Sequence, residues 1–372
     1  MKHLSLILLS AFLALSAQSQ QYTIKAALTG FPDGTPFYLK DLDVDAVIDS
    51  AFISRNTFKM TGRFDDPPQS LWLYCNYKNS FYYVVLLIGN DKISVKGDLK
   101  DFPYDLAVTG SRSQDDVNAL RGLTKEGYRQ RDRLVTEYFA LKGDSAEIKG
   151  KAIWKTIHGL DSMNETIRKK FVLDHPGSFL TLQELYFLRR VFGRDSLQHL
   201  YASLSPSLQQ NKMGTRISNY LKVGDPIKTG EAMEDFEAFD RDGKSHRPSD
   251  YKGKYILLDF SATYCGPCIQ SLEDMKKLSA TYPDKLAIIT LSGDAGKKTW
   301  LEGLDRDHPD WLSLWDGKGI YSQAMLKYGV SGFPTFCLVG PDGKIVSLWS
   351  GYGKEKDGAG SLETAVTKQF NK

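Results

Sequence analysis

The chain has 372 residues, of which 41% are hydrophobic and 25% charged, a composition that supports packed cores and excludes a long disordered chain. At about 100–150 residues per domain, this length calls for two or three folding units. Its 48 basic and 45 acidic residues nearly cancel and are interspersed, which leaves no electrostatic footprint for nucleic acid or an anionic membrane surface.

Met1-Lys2-His3, an apolar run from Leu4 to Leu15 and the small and polar residues Ser16 to Gln21 form a basic end, a short apolar core and a peptidase site. A signal peptide is expected over 1–19, with cleavage near Ala17 or Ser19. The core is shorter than the roughly 20 apolar residues of a membrane-spanning helix, and no Cys follows it to carry a lipid. The expected location is the periplasm or cell envelope, as a soluble protein and not a lipoprotein. Disulfides persist there, yet four cysteines are too few to staple a chain this long. Cys75 and Cys337, far apart in apolar stretches, read as small buried core residues rather than a bridge.

Residues 20–112 show short β-type runs at Pro36 to Leu39, Val47 to Ile53, Leu71 to Tyr77, Phe81 to Ile88 and Lys92 to Lys96. The turns Pro32-Asp33-Gly34 and Gly89-Asn90-Asp91 punctuate them, so an all-β, sandwich-like domain is expected, with Tyr82 and Tyr83 as packing residues. Over 113–222 apolar residues recur at helical spacing, as in Leu180, Leu182, Leu185, Phe187, Leu188 and Val191. This predicts a helical region with long helices over Asn118 to Leu141 and Ile148 to Leu173, the second ended by Asp174-His175-Pro176-Gly177.

Gly224-Asp225-Pro226 marks a boundary, and 223–372 reads as one α/β unit. Strands at Phe236 to Phe239, Tyr255 to Ser261, Leu286 to Leu291, Trp311 to Trp315, Thr335 to Val339 and Ile345 to Trp349 alternate with helices from Cys265, over Lys297 to Asp305, over Ile320 to Tyr328 and from Leu362. A central mixed sheet flanked by helices follows, its last two strands antiparallel through Pro341-Asp342-Gly343.

The chemistry concentrates at Cys265-Gly266-Pro267-Cys268, which follows the apolar run Tyr255 to Phe260 and opens a helix with the apolar stripe Ile269, Leu272, Met275 and Leu278. Unpaired N–H groups and the helix dipole stabilise a thiolate at the first cysteine, lowering its pKa from about 8.5. Cys265 is therefore the expected nucleophile, and Cys268, further inside the helix, the resolving thiol that closes a redox disulfide with it. Asp259, in mid-strand, is costly to bury without a role; it is expected to carry a raised pKa and to exchange a proton with Cys268, the alternative being a solvent-facing or backbone-bonded Asp. Phe333-Pro334-Thr335 precedes a strand, and the string leaves both isomers of Pro334 open.

Two competing readings of the cysteines are weak. A zinc site needs two more matching ligands, and His246 and His308 are irregularly spaced, so no metal is expected. A peroxiredoxin carries Pro and Thr or Ser at fixed offsets before its cysteine, where this chain has Leu258 and Ala262.

From these motifs the C-terminal part resembles the thioredoxin superfamily, and within it the TlpA/ResA-like thiol-disulfide oxidoreductases of the bacterial envelope. The likeness runs through Gly224-Asp225-Pro226, Asp242-Gly243-Lys244, Tyr251-Lys252-Gly253-Lys254, Ala262-Thr263-Tyr264-Cys265, Phe333-Pro334-Thr335 and Asp342-Gly343-Lys344. Val47-Ile48-Asp49-Ser50, Phe58 to Gly62 and Val108 to Ser111 resemble a β domain of unknown function found ahead of such proteins. The resemblance implies a thioredoxin-like fold, a cis peptide at Pro334 facing the cysteines, and an active-site loop of Tyr264, Gly266, Pro267, Phe333 and Thr335. It also implies protein disulfide or thiol substrates and no cofactor. Gly-Pro between the cysteines is the dipeptide of reducing thioredoxins, implying a reductase recharged by a membrane thiol carrier. The chain departs from the pattern at Ser261 and Tyr264, where tryptophans are usual, at Glu273 in place of a helix-kinking Pro, and at Ser271 in place of a Glu. Alternatives from other classes are a redox-responsive binding or scaffold protein and a thioredoxin-like peroxidase.

Overall fold

In the computed structural model, which describes residues 21–142, 146–352 and 362–370, the N-terminal strands bury alternate residues. Strand β1 (Tyr22–Thr29) turns Tyr22, Ile24, Ala26 and Leu28 inward and Lys25, Ala27 and Thr29 outward, as the two-residue period of a half-buried strand requires. With β2 (Pro36–Asp41), β3 (Ala46–Phe52), β4 (Thr57–Gly62), β5 (Gln69–Tyr77), β6 (Ser80–Ile88), β7 (Lys92–Asp98) and β8 (Ala107–Thr109) it makes two four-stranded sheets, ordered β4-β1-β7-β8 and β3-β2-β5-β6. Ile24, Phe37, Leu39, Leu73, Cys75, Val84 and Val95 from both sheets close one core, the packing of a β-sandwich. Strands β1, β4 and β8 were absent from the sequence-based runs; β1 has two Ala and a Lys and is a weak strand former alone. It holds because it pairs parallel with β7 and antiparallel with β4. The expected signal peptide lies outside the described residues.

Helix α1 (Arg112–Ala140) begins six residues before the expected start and runs beside α2 (Ala146–Asp174). Its first turns are polar in sequence but serve the sandwich: the buried Gln114 Oε1 accepts the Leu87 N–H at 2.9 Å. Leu87, Leu120, Phe171 and Leu180 form a cluster joining β6 to the helices. Short helices follow, α3 (Phe179–Phe187), α4 (Arg189–Phe192), α5 (Arg194–Ser203), α6 (Pro206–Gln210) and α7 (Lys212–Val223), around Leu182, Leu185, Leu197 and Ile217. No helix among the described residues is long and apolar enough to cross a membrane.

The C-terminal unit holds β9 (Ala238–Phe239), β10 (Ser245–His246), β11 (Tyr255–Ser261), α8 (Gly266–Thr281), β12 (Leu286–Ser292), α9 (Lys297–Asp307), β13 (Leu312–Trp315), α10 (Gln323–Lys327), β14 (Thr335–Val339), β15 (Ile345–Ser350) and α11 (Leu362–Phe370). The sheet order is β10-β9-β13-β12-β11-β14-β15, with β11 parallel to β12 and antiparallel to β14. The expected helix over Ile320 to Tyr328 is instead a 3-10 turn at Gly319–Tyr321 followed by α10; Ser322 between them is extended, at ψ 134, and breaks the helix. Central strand β11 alternates between two cores. Ile256, Leu258 and Phe260 meet Met325 and Tyr328, while Leu257 meets Met275 and Leu278 of α8 and Val366 of α11.

Candidate active site

This alternation places Asp259. It shares the Leu257 face, the one covered by α8, and lies near the end of β11 from which the chain turns into the cysteines. Asp259 is 2% exposed. Its Oδ2 accepts from Thr290 Oγ1 at 2.9 Å, and Oδ1 has no partner. Trp311 Nε1 donates to the same Thr290 oxygen at 2.9 Å, so Thr290 is oriented to give its own proton to Asp259. Burial pushes the Asp259 carboxyl up to about 7, against a smaller lowering by Thr290. The buried Asp of the sequence reading is thus found, without the backbone bonds of the alternative.

Cys265 is the N-cap of α8 and is bonded to Cys268, with Cα atoms 5.2 Å apart. The Cys268 N–H donates to Cys265 Sγ at 3.2 Å, which supplies the thiolate-stabilising donor expected of a helix N-terminus. Gly266 and Pro267 occupy the first turn, where the missing proline N–H costs no helical bond. Cys265 is half-buried, whereas Cys268 is only 4% exposed. An incoming sulfur therefore reaches the first cysteine and not the second. The expected stripe of α8 needs one correction: Ile269 is 40% exposed, and the face toward the sheet is Cys268, Ser271, Asp274, Met275 and Leu278. The buried stripe begins with the small residues Cys268 and Ser271, and Ile269 lies one position off it. Ser271 Oγ donates to the Cys268 carbonyl at 2.8 Å.

Phe333–Pro334 is a cis peptide. The register of β14 against β11 sets Thr335 opposite Phe260, which brings Pro334 level with Ser261, four residues before Cys265. Thr335 Oγ1 lies 2.8 Å from both the Gly332 carbonyl and Ser350 Oγ. The Phe333 ring covers Gly293 so closely that a Cβ there would lie 2.2 Å from Cζ. Tyr264, 75% exposed, reaches Glu302 Oε2 at 3.3 Å through its hydroxyl.

Asp294, Thr299 and Thr290 escaped the sequence reading, and Thr263 entered it only within the motif Ala262 to Cys265. Thr263 N and Oγ1 donate to Asp294 at 3.2 and 2.8 Å, and Oγ1 also reaches the Thr299 carbonyl at 3.0 Å. With Thr290, these hold the loop before Cys265 and the acid behind it. The only mark in the sequence was Thr290 as a polar residue in the apolar run of β12; its place beside Asp259 comes from register. Cys75 and Cys337 are buried free thiols, pushed up to about 12 by burial. His246 Nε2 lies 2.8 Å from Asp240 Oδ2, and His308 caps α9 at φ 44. Tyr82 packs on Phe31 and Phe102. Tyr83 stacks on Phe81 and also lines a cavity of about 640 Å³ where the sandwich, the helices and Tyr321 meet.

A disulfide at a helix N-terminus, a cis-proline loop beside it and a mixed sheet between helices define a thioredoxin-type thiol-disulfide oxidoreductase. A thioredoxin-like family model matches residues 253–345, and the thioredoxin-like protein YneN of Bacillus subtilis is 32% identical over 143 residues, 37% of this chain and 81% of YneN. The chain belongs to the thioredoxin-like family, as a TlpA/ResA-like member with an additional N-terminal domain, over which a domain of unknown function, DUF4369, matches residues 22–117. The thiol-disulfide oxidoreductase ResA of Geobacillus thermodenitrificans is 26% identical over 155 residues, 40% of this chain and 85% of ResA. A solved thiol:disulfide interchange protein from Bacteroides sp. is 27% identical and covers 39% of this chain and 92% of its own, with a TM-score of 0.34.

Proposed function

We propose that this chain is a protein-disulfide reductase of the bacterial envelope. Its units are taken as a leader over 1–19, the β domain over 20–112, the helical region over 113–222 and the redox unit over 223–372. The Cys265 thiolate attacks a client disulfide, forming a mixed disulfide and releasing one client thiolate. Cys268 then gives its proton to the Asp259 carboxylate and attacks Cys265 Sγ. The second client thiolate leaves, and the two electrons of the dithiol have passed to the client. The disulfide-bonded pair is the product state of that cycle, and a dithiol donor at the membrane returns it to the reduced form. The observation that carries this reading is the asymmetry of the pair, a half-buried sulfur at the N-cap and a shielded one in the first turn, with a buried acid on the face of β11 that α8 covers. The leader-like first 19 residues support the envelope location, and Gly266-Pro267 supports the reducing direction.

The test is the potential of the Cys265–Cys268 couple together with trapping by Cys268→Ser. A potential near −270 mV is expected at about the thioredoxin end of the scale, whereas one near about −120 mV would mark an oxidant. The variant should hold clients as stable mixed disulfides on Cys265. No trapped species, and no insulin reduction by the wild-type protein, would sink the reading.

A further inference from the structure

Thiol exchange does not itself require the N-terminal sandwich, yet the tip of its β2–β3 hairpin stands beside the cysteines. Asp45, at φ 53, accepts from Thr299 Oγ1 through Oδ2 at 2.8 Å. A Cβ on Gly296, the N-cap of α9, would lie 3.2 Å from the Val44 carbonyl oxygen, so the backbone of the tip rests on the start of that helix. Three residues after Thr299 on α9, Glu302 receives the Tyr264 hydroxyl. Positions three apart are neighbours on a helix face, about 5–6 Å from one another. The tip and the residue preceding Cys265 therefore stand side by side. On the other flank, Gly319 abuts the loop at Gly293 and Ala295, and Ile320 follows it. Val44 is 47% exposed, and Tyr264 and Ile320 are exposed with it. The nearby acids are answered within the protein, Asp45 by Lys40 and Glu302 by Lys298, which leaves the apolar groups to select what binds.

We propose that Val44 and the hairpin tip form one wall of the surface on which an extended, apolar-flanked client polypeptide lies while its disulfide is at Cys265. The inference rests on the reductase reading above. The reaction dictates the occupant, because a client sulfur delivered to Cys265 brings its neighbouring residues onto these side chains. An extended chain advances about 3.3 Å per residue, so it is the residues flanking the client cystine along the chain that meet Val44. The sandwich then contributes client choice, and the redox unit the chemistry.

The test compares full-length wild type, Val44→Asp and Val44→Leu on insulin and on 5,5′-dithiobis(2-nitrobenzoate), a small disulfide with no flanking polypeptide, with the redox potential measured alongside. Val44→Asp should lower kcat/KM for insulin about fivefold, close to 1 kcal/mol, leaving the small-disulfide rate and the potential unchanged, and Val44→Leu should retain the insulin rate. Undiminished insulin reduction by Val44→Asp overturns the proposal. So does an equal loss on both substrates, since the change would then act on the thiol. Wild-type protein that reduces neither disulfide sinks the reductase reading, and this inference with it.

Discussion

At the scale of single residues, Asp259 is where burial and chemistry conflict. The unfolded carboxyl releases its proton near 3.8, but burial keeps the folded one protonated up to about 7. Between those values the unfolded state binds fewer protons, so stability falls as pH rises through the window and the loss is complete above pH 7. Asp259→Asn is therefore expected to be more stable than wild type at pH 8, with the gap closing by about pH 4, as read from denaturant midpoints at both values. If Asp259 is the proton acceptor proposed for Cys268, the same variant slows resolution of the mixed disulfide on the order of a hundredfold and erases the inflection near pH 7. Stopped-flow release of the second client thiol checks this. A flat stability difference across pH would show that the carboxyl is not titrating in the fold.

Much of this residue-scale picture was legible in the string. Asp259 announced itself as a charge inside an apolar strand, and Cys265 and Cys268 by their spacing at a helix start. Thr290 and Asp294 did not, because a single Thr within a strand and an Asp in the loop after it are ordinary. Their meaning comes from register: Asp259 lies opposite Thr290 only because β11 and β12 pair as they do.

At the scale of elements, the loop from β12 to α9 and the cis-proline loop are fitted to each other through Gly293 and Phe333. A methyl group on Gly293 would occupy the space of the Phe333 ring, and the ring is held by the adjoining strand β14. Gly293→Ala should cost about 1–3 kcal/mol by overpacking and reduce client turnover by moving Phe333. Thermal unfolding and insulin reduction together check it; full activity with unchanged stability would mean the ring turns aside freely. Element types were readable where periodicity was strong, as in β11, β14 and α2. They were not readable where pairing supplies the stability, as in β1 and β4, nor where polar residues are buried by a neighbouring unit, as in the first turns of α1. Ile269 misled for a related reason, since the face of α8 that is buried is decided by packing and runs through Cys268, Ser271 and Met275, beside Ile269.

At the scale of the whole molecule, the three regions meet around Asp43. Its carboxylate takes Arg216 at 2.7 Å and Lys212 at 3.0 Å from α7, and the Arg216 guanidinium lies 3.5 Å from the centre of the Tyr321 ring in the redox unit. Burial alone would raise the Asp43 carboxyl, but the hydrogen bonds and charges of Arg216 and Lys212 outweigh it and hold it below its usual 3.8. With the folded value depressed, the stability it adds is present above about pH 3.8 and is lost as pH falls through the folded value. Asp43→Ala leaves Arg216 largely buried without a carboxylate and should cost about 3 kcal/mol. Denaturant unfolding measures that cost, and limited proteolysis shows whether the junction opens. A variant as stable and as resistant as wild type would mean that the regions are held together elsewhere, the sandwich and the helices by the Leu87, Leu120, Phe171 and Leu180 cluster and the redox unit by contacts such as that of Arg190 Nη2 with the Gly329 carbonyl.

By itself the sequence determined the local and chemical facts: a sandwich-forming β region, a helical middle, an α/β unit, and a dithiol at a helix start with an acid six residues before it. Those follow from period, turn residues and spacing, which act over a few residues. The tertiary structure decided which face of β11 Asp259 occupies, which α8 residues are shielded, what orients Thr290, and where the hairpin tip of a distant unit comes to rest. Each of these depends on contacts between residues tens to hundreds of positions apart, and strand register or domain docking leaves no periodic mark in either partner. For Cys265 and Cys268 the consequence is specific. Their spacing was legible in the chain, while the difference in exposure that divides their labour arises from packing.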